Sequence, residues 1–250
     1  MRASVRTAIL FAAAMSLALP AAAPAQTFSD DQRRQIEAIV KDYLLNHPEV
    51  MQDVMVAIDK RQQEADAEKA RTTIKANNAT LFDSPHQVVL GNPQGSVQVV
   101  EFFDYNCAFC KRALPDMLSL LKTDPNLKFV LKEFPVLGPG SVEAARVAVA
   151  ARMQDPSGKR YLEFHQKLLG GRGPADKARA LAVAKEVGFD MTRLEKDMSS
   201  DEVKTTIDED MKLADALGVS GTPSYVVGDE LVVGAVGLDA LKEKINAADK

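Results

Sequence analysis

The sequence predicts an α/β domain that carries an all-helical insert and follows an N-terminal helical stalk. Three observations indicate this arrangement: a strand–helix–strand pattern near the middle of the chain, a long helical stretch after it, and two amphipathic segments ahead of it. The 250 residues are 46% hydrophobic and 26% charged, which is typical of a folded globular protein. This composition excludes an intrinsically disordered chain.

The first 25 residues have the pattern of a secretory signal. Arg2 and Arg6 precede an apolar run, which is followed by small residues that end at Ala25. Cleavage there leaves 29 basic and 35 acidic residues, a net charge of −6. No later stretch reaches 18 uninterrupted apolar residues, so the expected product is exported and soluble. Its acidic balance makes nucleic acid a poor partner.

Two amphipathic helices are predicted after the signal. Ser29 and Gln32 have the spacing of a capping box, and apolar residues then recur at helical spacing. Pro48 cannot continue the first helix but is well placed in the first turn of the next. The second helix therefore begins at this proline.

The second helix leads into a polar segment, Asp59 to Thr73, that contains no large apolar side chain. Strong helix formers dominate it, which predicts a solvated helical linker within an N-terminal module of residues 26–80. Two short helices make too small a core alone, so we expect residues 28–60 to associate with another copy of the chain. Packing of these helices on the main domain is the alternative.

The main domain, predicted as residues 81–250, begins with two strands at residues 87–90 and 97–103. The second strand is apolar on both faces except at Gln98 and Glu101, which is expected of a strand in the middle of a covered sheet. The remaining predicted elements are a helix over 108–121, a strand over 128–134, a helical insert over 139–217, strands at 224–227 and 231–233 around a turn at 228–230, and a helix over 238–247.

The chain has two cysteines, Cys107 and Cys110. A bridge between residues so close in sequence restricts the unfolded chain only slightly, so chemistry explains the pair better than stability does. The pair opens a helix directly after a buried strand, where free amide groups and the helix dipole stabilise negative charge. Cys107 is therefore the expected attacking thiolate, and Cys110 the thiol that resolves a mixed disulfide.

Glu101 lies six residues before Cys107 and is the only ionisable residue of the predicted strand 97–103. A buried carboxyl there has a raised pKa and can pass a proton to or from the Cys110 sulfur. The alternative is a carboxylate at the sheet margin in contact with water.

The sequence resembles the thioredoxin superfamily, in which a Cys-x-x-Cys opens the helix of a β-α-β unit and a cis-proline precedes a β-hairpin. Residues 101–110 and the helical insert are similar to the DsbA-like periplasmic proteins. The stalk, residues 132–138 and Thr222-Pro223 most resemble the ScsC-like (suppressor of copper sensitivity C) branch. The resemblance implies a thioredoxin-like fold with a cis peptide bond before Pro223.

The resemblance also implies a periplasmic disulfide isomerase that acts on misfolded or reduced secreted proteins and works with a membrane redox partner. Thr222, Pro223 and Phe109 are expected to contact the substrate chain, with Thr222 tuning the redox potential. The resemblance suggests a homo-oligomer of three copies, and no cofactor is expected. The dipeptide between the cysteines lacks the histidine or proline of several relatives, so their potential does not carry over.

Three other functions remain open at this point. A DsbA-like oxidase would use the same dithiol, and a structural or holdase role would make the cysteines incidental. A copper-tolerance protein could bind Cu(I) through the two sulfurs. No structural metal site is expected, because there are no further cysteines and the histidines His47, His86 and His165 are scattered; His165 is predicted to be a packed or surface helix residue.

Overall fold

The structure is a computed structural model that describes residues 28–248, so the predicted signal lies outside the described residues. The chain divides into two compact units, one ending at Ile58 and the other beginning at Asp59. None of the described helices has the length and apolar character needed to cross a membrane.

The first unit contains α1 (Asp30–Asn46) and the beginning of α2 (Pro48–Ala76). The predicted capping box is confirmed, since the Ser29 hydroxyl accepts a hydrogen bond from the Gln32 amide and the Gln32 side chain accepts one from the Ser29 amide. No residue of α1 is buried. The unit leaves many large apolar side chains exposed: Phe28, Ile36, Ile39, Val40, Tyr43, Leu45, Met51, Val54, Met55, Val56 and Ile58.

The second unit is built around a five-stranded sheet. Its strands are β1 (Val88–Gly91), β2 (Val97–Phe103), β3 (Leu127–Glu133), β4 (Ser224–Val227) and β5 (Glu230–Val233). Its helices after α2 are α3 (Asn78–Phe82), α4 (Ala108–Thr123), α5 (Pro139–Arg152), α6 (Lys159–Leu169), α7 (Lys177–Val187), α8 (Met191–Asp197), α9 (Asp201–Leu217) and α10 (Leu238–Ala248). The predicted all-helical insert is confirmed as α5 to α9.

The sheet has the strand order β1-β3-β2-β4-β5. β2 and β3 are parallel and joined through α4, which confirms the predicted β-α-β unit, and the other neighbours are antiparallel. Val99 and Phe103 face a core shared with α4, whereas Val100 and Phe102 face a second core. β2 is therefore covered on both faces, as its apolar sequence predicts.

The second core is completed by residues close to the end of α2. The predicted linker is helical and exposed from Asp59 to Lys69, but Ala70 is buried, and Ile74, one residue past the predicted linker, is 2% exposed. Ile74 packs with the α3 residues Leu81 and Phe82. The last turns of α2 thus belong to the core of the second unit, because Ile74, just past the polar segment, packs with apolar residues of α3.

The hairpin between β4 and β5 is tighter than the sequence pattern indicates. Glu230 pairs with Val227 and begins β5, so the turn contains Gly228 and Asp229 alone. Gly228 has a φ of 60°, the left-handed conformation that two-residue hairpin turns require and glycine adopts without strain.

Candidate functional site

The two cysteines lie at the N-terminus of α4, directly after the loop that follows β2. Cys107 is the N-cap residue, and its sulfur accepts a hydrogen bond from the Cys110 amide at 3.5 Å. Both are free thiols, with Cys107 5% exposed and Cys110 completely buried. The Cys107 sulfur therefore occupies the end of the helix at which amide groups and the dipole favour negative charge.

The loop before β4 brings Thr222 and Pro223 to the cysteines. The Cys107 thiol donates a hydrogen bond to the Thr222 carbonyl oxygen at 3.1 Å, and the Thr222 side chain forms a hydrogen bond with Cys110. The peptide bond between Thr222 and Pro223 is cis, as the resemblance implies, and Pro223 is buried. Thr222 thus contacts both sulfurs, one through its backbone and the other through its side chain.

Cys110 is in an environment that opposes its ionisation. Burial raises the pKa of the Cys110 thiol, and the Glu101 carboxyl adds to the rise. Hydrogen bonds from the Asp104 backbone and the Thr222 side chain act in the opposite direction. Cys110 therefore needs a proton acceptor close by before it can attack a disulfide.

Glu101 provides a carboxyl on the side of the sheet that faces α4. Its side chain is 4% exposed, and burial raises its pKa to about 8, while a hydrogen bond with Tyr225 lowers it. The residue lies opposite Tyr225 in the pairing of β2 with β4. The expected burial and raised pKa of Glu101 are confirmed, and the alternative of a solvated carboxylate is excluded.

A polar network that the sequence analysis missed holds the loop between β2 and α4. The Asp104 carboxylate accepts hydrogen bonds from the Asn106 amide and the Ser141 hydroxyl, both at 2.7 Å, and from the Leu137 amide at 3.0 Å. The Asn106 side chain bonds the Ala175 backbone N–H and C=O at 2.7 and 2.8 Å and the Ser141 hydroxyl at 2.9 Å. An Asp two residues before an Asn at a helix start is a turn signal, but its distant partners have no local signature.

The side chains after Cys107 form the exposed rim of the site. Phe109 is 54% exposed, and the Arg112 guanidinium lies over its ring at 4.3 Å from the centroid. The Lys111 ammonium donates hydrogen bonds to the carbonyl oxygens of Gly171 and Gly173 at 3.4 and 3.3 Å. An aromatic side chain that lies between the two cysteines in sequence is therefore open to solvent, and Lys111 connects the same helix to a loop of the insert.

The three histidines pair with side chains other than the cysteines. His165 is buried beside Phe103, and its Nδ1 atom lies 3.2 Å from the Tyr105 hydroxyl, so the prediction of a packed helix residue is confirmed. Burial lowers the pKa of His165 to about 3. His86 and His47 pair with Glu202 and Glu49. Within residues 28–248, no cluster of three or more His, Cys, Asp or Glu side chains is arranged to hold a metal ion.

Comparison with known families gives two matches along the chain. Residues 98–246 match the DSBA-like thioredoxin domain, which covers both cysteines, the insert and the loop before β4. Residues 32–65 match the copper resistance protein ScsC N-terminal domain. The first match spans more than half of the chain, and the second covers most of α1 and the first half of α2.

This chain is also similar to individual solved structures and curated proteins. A thioredoxin-like oxidoreductase from Silicibacter pomeroyi is 46% identical, with a TM-score of 0.65 over 69% of this chain and 97% of that one. The thiol-disulfide exchange protein alpha-DsbA2 from Wolbachia pipientis is 30% identical, with a TM-score of 0.67 over 73% and 97%. The Na(+)/H(+) antiporter NhaA 1 of Salinispora arenicola is 29% identical over 66% of this chain. This chain spans about a quarter of the length of the first curated relatives that it matches.

Proposed function

This chain belongs to the DsbA-like thioredoxin family, and from that premise we propose that it exchanges thiols and disulfides in exported proteins through Cys107 and Cys110. The observation that carries the proposal is the position of Cys107, a free thiol at the N-cap of α4 within hydrogen-bond distance of the Thr222 carbonyl oxygen. A thiolate is the attacking species in disulfide exchange, and a helix N-terminus stabilises negative charge.

The exchange takes place in two steps. The Cys107 thiolate attacks one sulfur of a client disulfide, so a mixed disulfide forms and the other client sulfur leaves as a thiolate. In isomerisation, a different client thiolate then attacks the client sulfur of the mixed disulfide and releases Cys107. In reduction, Cys110 loses its proton and attacks Cys107, so the dithiol becomes a disulfide and the client bond becomes two thiols.

The substrate chain would bind across the rim of the site. The Thr222 carbonyl is engaged by the Cys107 thiol in the free protein and becomes available to a substrate when that sulfur reacts. Pro223 follows Thr222 through a cis peptide bond and is itself buried, and the exposed ring of Phe109 offers an apolar surface to the segment that flanks the client cysteine. These features support Thr222 and Phe109 as substrate-contacting residues, with Pro223 contributing through the loop that presents the Thr222 carbonyl.

Disulfide isomerisation is the specific activity that we propose, because several thiol pairs placed around one client would favour it. The exposed apolar side chains of residues 28–58 support self-association of this segment, since a monomer rarely keeps so many large apolar groups in water. A stalked oligomer would present its thiols to one misfolded protein from different sides. A membrane-bound reductant would keep the dithiol reduced in the periplasm, to which the signal-like residues 1–25 direct the chain.

Refolding of a scrambled multi-disulfide protein tests the proposal. The mature protein should restore the native disulfides, and Cys107→Ala should abolish this activity. The double variant Ile39→Glu, Met55→Glu introduces charges at two exposed apolar positions, 67% and 61% exposed, and should convert the oligomer to monomers. We expect the double variant to lose most of the isomerisation while it still oxidises a reduced client at the wild-type rate.

The matched control adds two charges at exposed polar positions of α2, Gln63→Glu and Thr72→Glu, and should leave both mass and activity unchanged. Light scattering gives the mass of each variant. Fast oxidation of a reduced client without rescue of the scrambled one would contradict isomerisation and identify an oxidase instead. A monomeric wild-type protein would contradict the role of the stalk.

Cu(I) binding is a second candidate, favoured by the match of residues 32–65 to a copper resistance protein domain. Cys107 and Cys110 are both free, and thiolates are the ligands that Cu(I) prefers. Titration of the reduced protein with Cu(I) in competition with a chelator tests it. Binding that survives Cys107→Ala would contradict a site at the cysteine pair.

A further inference from the structure

A buried tyrosine of β4 lies in the core that α4 shares and is not used by the exchange steps described above. Tyr225 is 2% exposed and lies opposite Glu101 in the antiparallel pairing of β4 with β2. Residues paired in this way project to the same face of the sheet. Tyr225 shares its core with Cys110, so Glu101, Tyr225 and Cys110 converge on one side of the sheet.

Titratable side chains of α4 and α10 also affect this cluster. Besides burial, Cys110 and Asp116 of α4 raise the pKa of Tyr225, and Asp239 of α10 raises that of Asp116. On the other side of Glu101, the paired residue of β3 is Leu131, which does not titrate. Of the two residues paired with Glu101 across the sheet, Tyr225 is therefore the one whose side chain can hydrogen-bond the Glu101 carboxyl.

We propose that Tyr225 is a positioning residue whose hydroxyl holds the Glu101 carboxyl beside Cys110 in readiness to receive the Cys110 proton. The proposal rests on the proposed function, because it concerns the step in which Cys110 resolves a mixed disulfide. In that step the proton moves from the Cys110 sulfur to the Glu101 carboxylate. The Cys110 thiolate attacks Cys107, the Cys107–Cys110 bond forms, and the client sulfur leaves as a thiolate.

The hydrogen bond from Tyr225 has a defined effect on this transfer. A hydrogen bond to a carboxylate favours its charged form, and in this site it opposes the burial that raises the Glu101 pKa to about 8. Loss of the hydroxyl would leave Glu101 protonated to a higher pH. A protonated Glu101 cannot accept the Cys110 proton, so the resolving step would need a higher pH to reach the same rate.

The test is the reaction of the reduced full-length protein with an aromatic disulfide that releases a coloured thiolate at each step. The first thiolate marks attack by Cys107, and the second marks attack by Cys110 on the mixed disulfide. For Tyr225→Phe we expect an unchanged first phase. We expect the pH midpoint of the second phase to rise by about one unit, which makes this phase about ten-fold slower at neutral pH.

Glu101→Gln should slow the second phase at every pH and remove its midpoint near 8, because an amide cannot take up the proton. Infrared titration of the protonated carboxyl band that Glu101→Gln lacks gives the pKa of Glu101 directly. This measurement should show the same upward shift in Tyr225→Phe.

The matched control is Tyr161→Phe. The Tyr161 hydroxyl also donates a hydrogen bond to a buried carboxyl, that of Glu133 at 3.2 Å, so this variant removes the same group from a comparable pair. It should leave both phases unchanged. An unaltered second-phase pH profile in Tyr225→Phe, or an equal shift in Tyr161→Phe, would overturn the proposal. Absence of the first phase in the wild-type protein would instead refute the proposed function.

Discussion

The Cys107 thiol donates a hydrogen bond to the backbone carbonyl oxygen of Thr222 at 3.1 Å, although 115 positions separate the two residues in the sequence. The contact joins the N-terminus of α4 to the loop before β4. These elements meet because β2, which leads into Cys107, pairs with β4, which follows Pro223. The sheet pairing therefore brings the Cys107 sulfur close to the Thr222 carbonyl group.

The Thr222 side chain should promote the resolving step. Thr222→Val keeps the shape of the residue and its backbone carbonyl but removes the hydroxyl that forms a hydrogen bond with Cys110. We expect the pKa of Cys110 to rise further and its attack on the mixed disulfide to slow about five-fold, which corresponds to one lost hydrogen bond of about 1 kcal/mol. Release of the second coloured thiolate measures this rate.

Thr206→Val is the control for this change. Thr206 is a buried threonine whose hydroxyl donates to the Glu202 carbonyl within α9. Its replacement should leave the exchange rates unchanged. A wild-type second phase in Thr222→Val would show that the hydroxyl has no part in the chemistry.

Asn106 should contribute strongly to stability, because it ties the loop before Cys107 to the insert. Asn106→Ala removes three hydrogen bonds and leaves the Ala175 backbone groups unpaired. We expect the free energy of unfolding, measured in urea at neutral pH, to fall by about 1–3 kcal/mol. Asn92→Ala, which removes one bond to the Pro125 carbonyl and one from the Gln94 amide in an exposed turn, should cost less. Equal losses of unfolding free energy in the two variants would contradict the stronger stabilising role of Asn106.

Glu101 should make the stability of the wild-type protein decrease as pH rises. Its folded-state pKa, about 8, lies above the unfolded value of 4.5, so the unfolded chain releases this proton first. The difference in unfolding free energy between the wild type and Glu101→Gln should therefore change by about 1.4 kcal/mol per pH unit between these values, in favour of the variant. Urea unfolding at several pH values measures it, and a difference independent of pH would contradict the raised pKa.

Ile74 should anchor the end of α2 to the second unit. Its side chain is 2% exposed in the core that contains Leu81 and Phe82. Ile74→Ala should reduce the free energy of unfolding by about 2–5 kcal/mol, the usual cost of such a truncation in a core. Val136→Ala, at a position 43% exposed, is the control and should change it by less than about 0.5 kcal/mol. A loss of this small size at Ile74 would show that the contact is dispensable.

Local patterns were sufficient to predict most of the fold. The apolar run of β2 was predicted with its observed ends, and the capping box and Pro48 gave the starts of α1 and α2 to within a residue. The pair of cysteines was recognised because both residues and the helix that they open are contiguous. These features depend on neighbours within one or two turns, and such neighbours are visible in the sequence.

The remaining features depend on contacts between residues that are far apart in the chain. Ser141 and Ala175 come to Asn106 from the insert, and Tyr225 comes to Glu101 through strand pairing. Neither contact has a local signature, because the residues next to a serine or tyrosine in the sequence do not indicate which distant side chain it will contact.

The sequence by itself therefore determined the order of the elements, the dithiol and the buried strand that leads to it. Only the tertiary structure decided that Thr222 contacts both sulfurs, that Tyr225 faces Glu101 and that Ile74 joins the second core. The physical reason is that hydrophobic periodicity specifies which face of an element is buried, whereas the packing of the complete sheet and its helices specifies what that face meets.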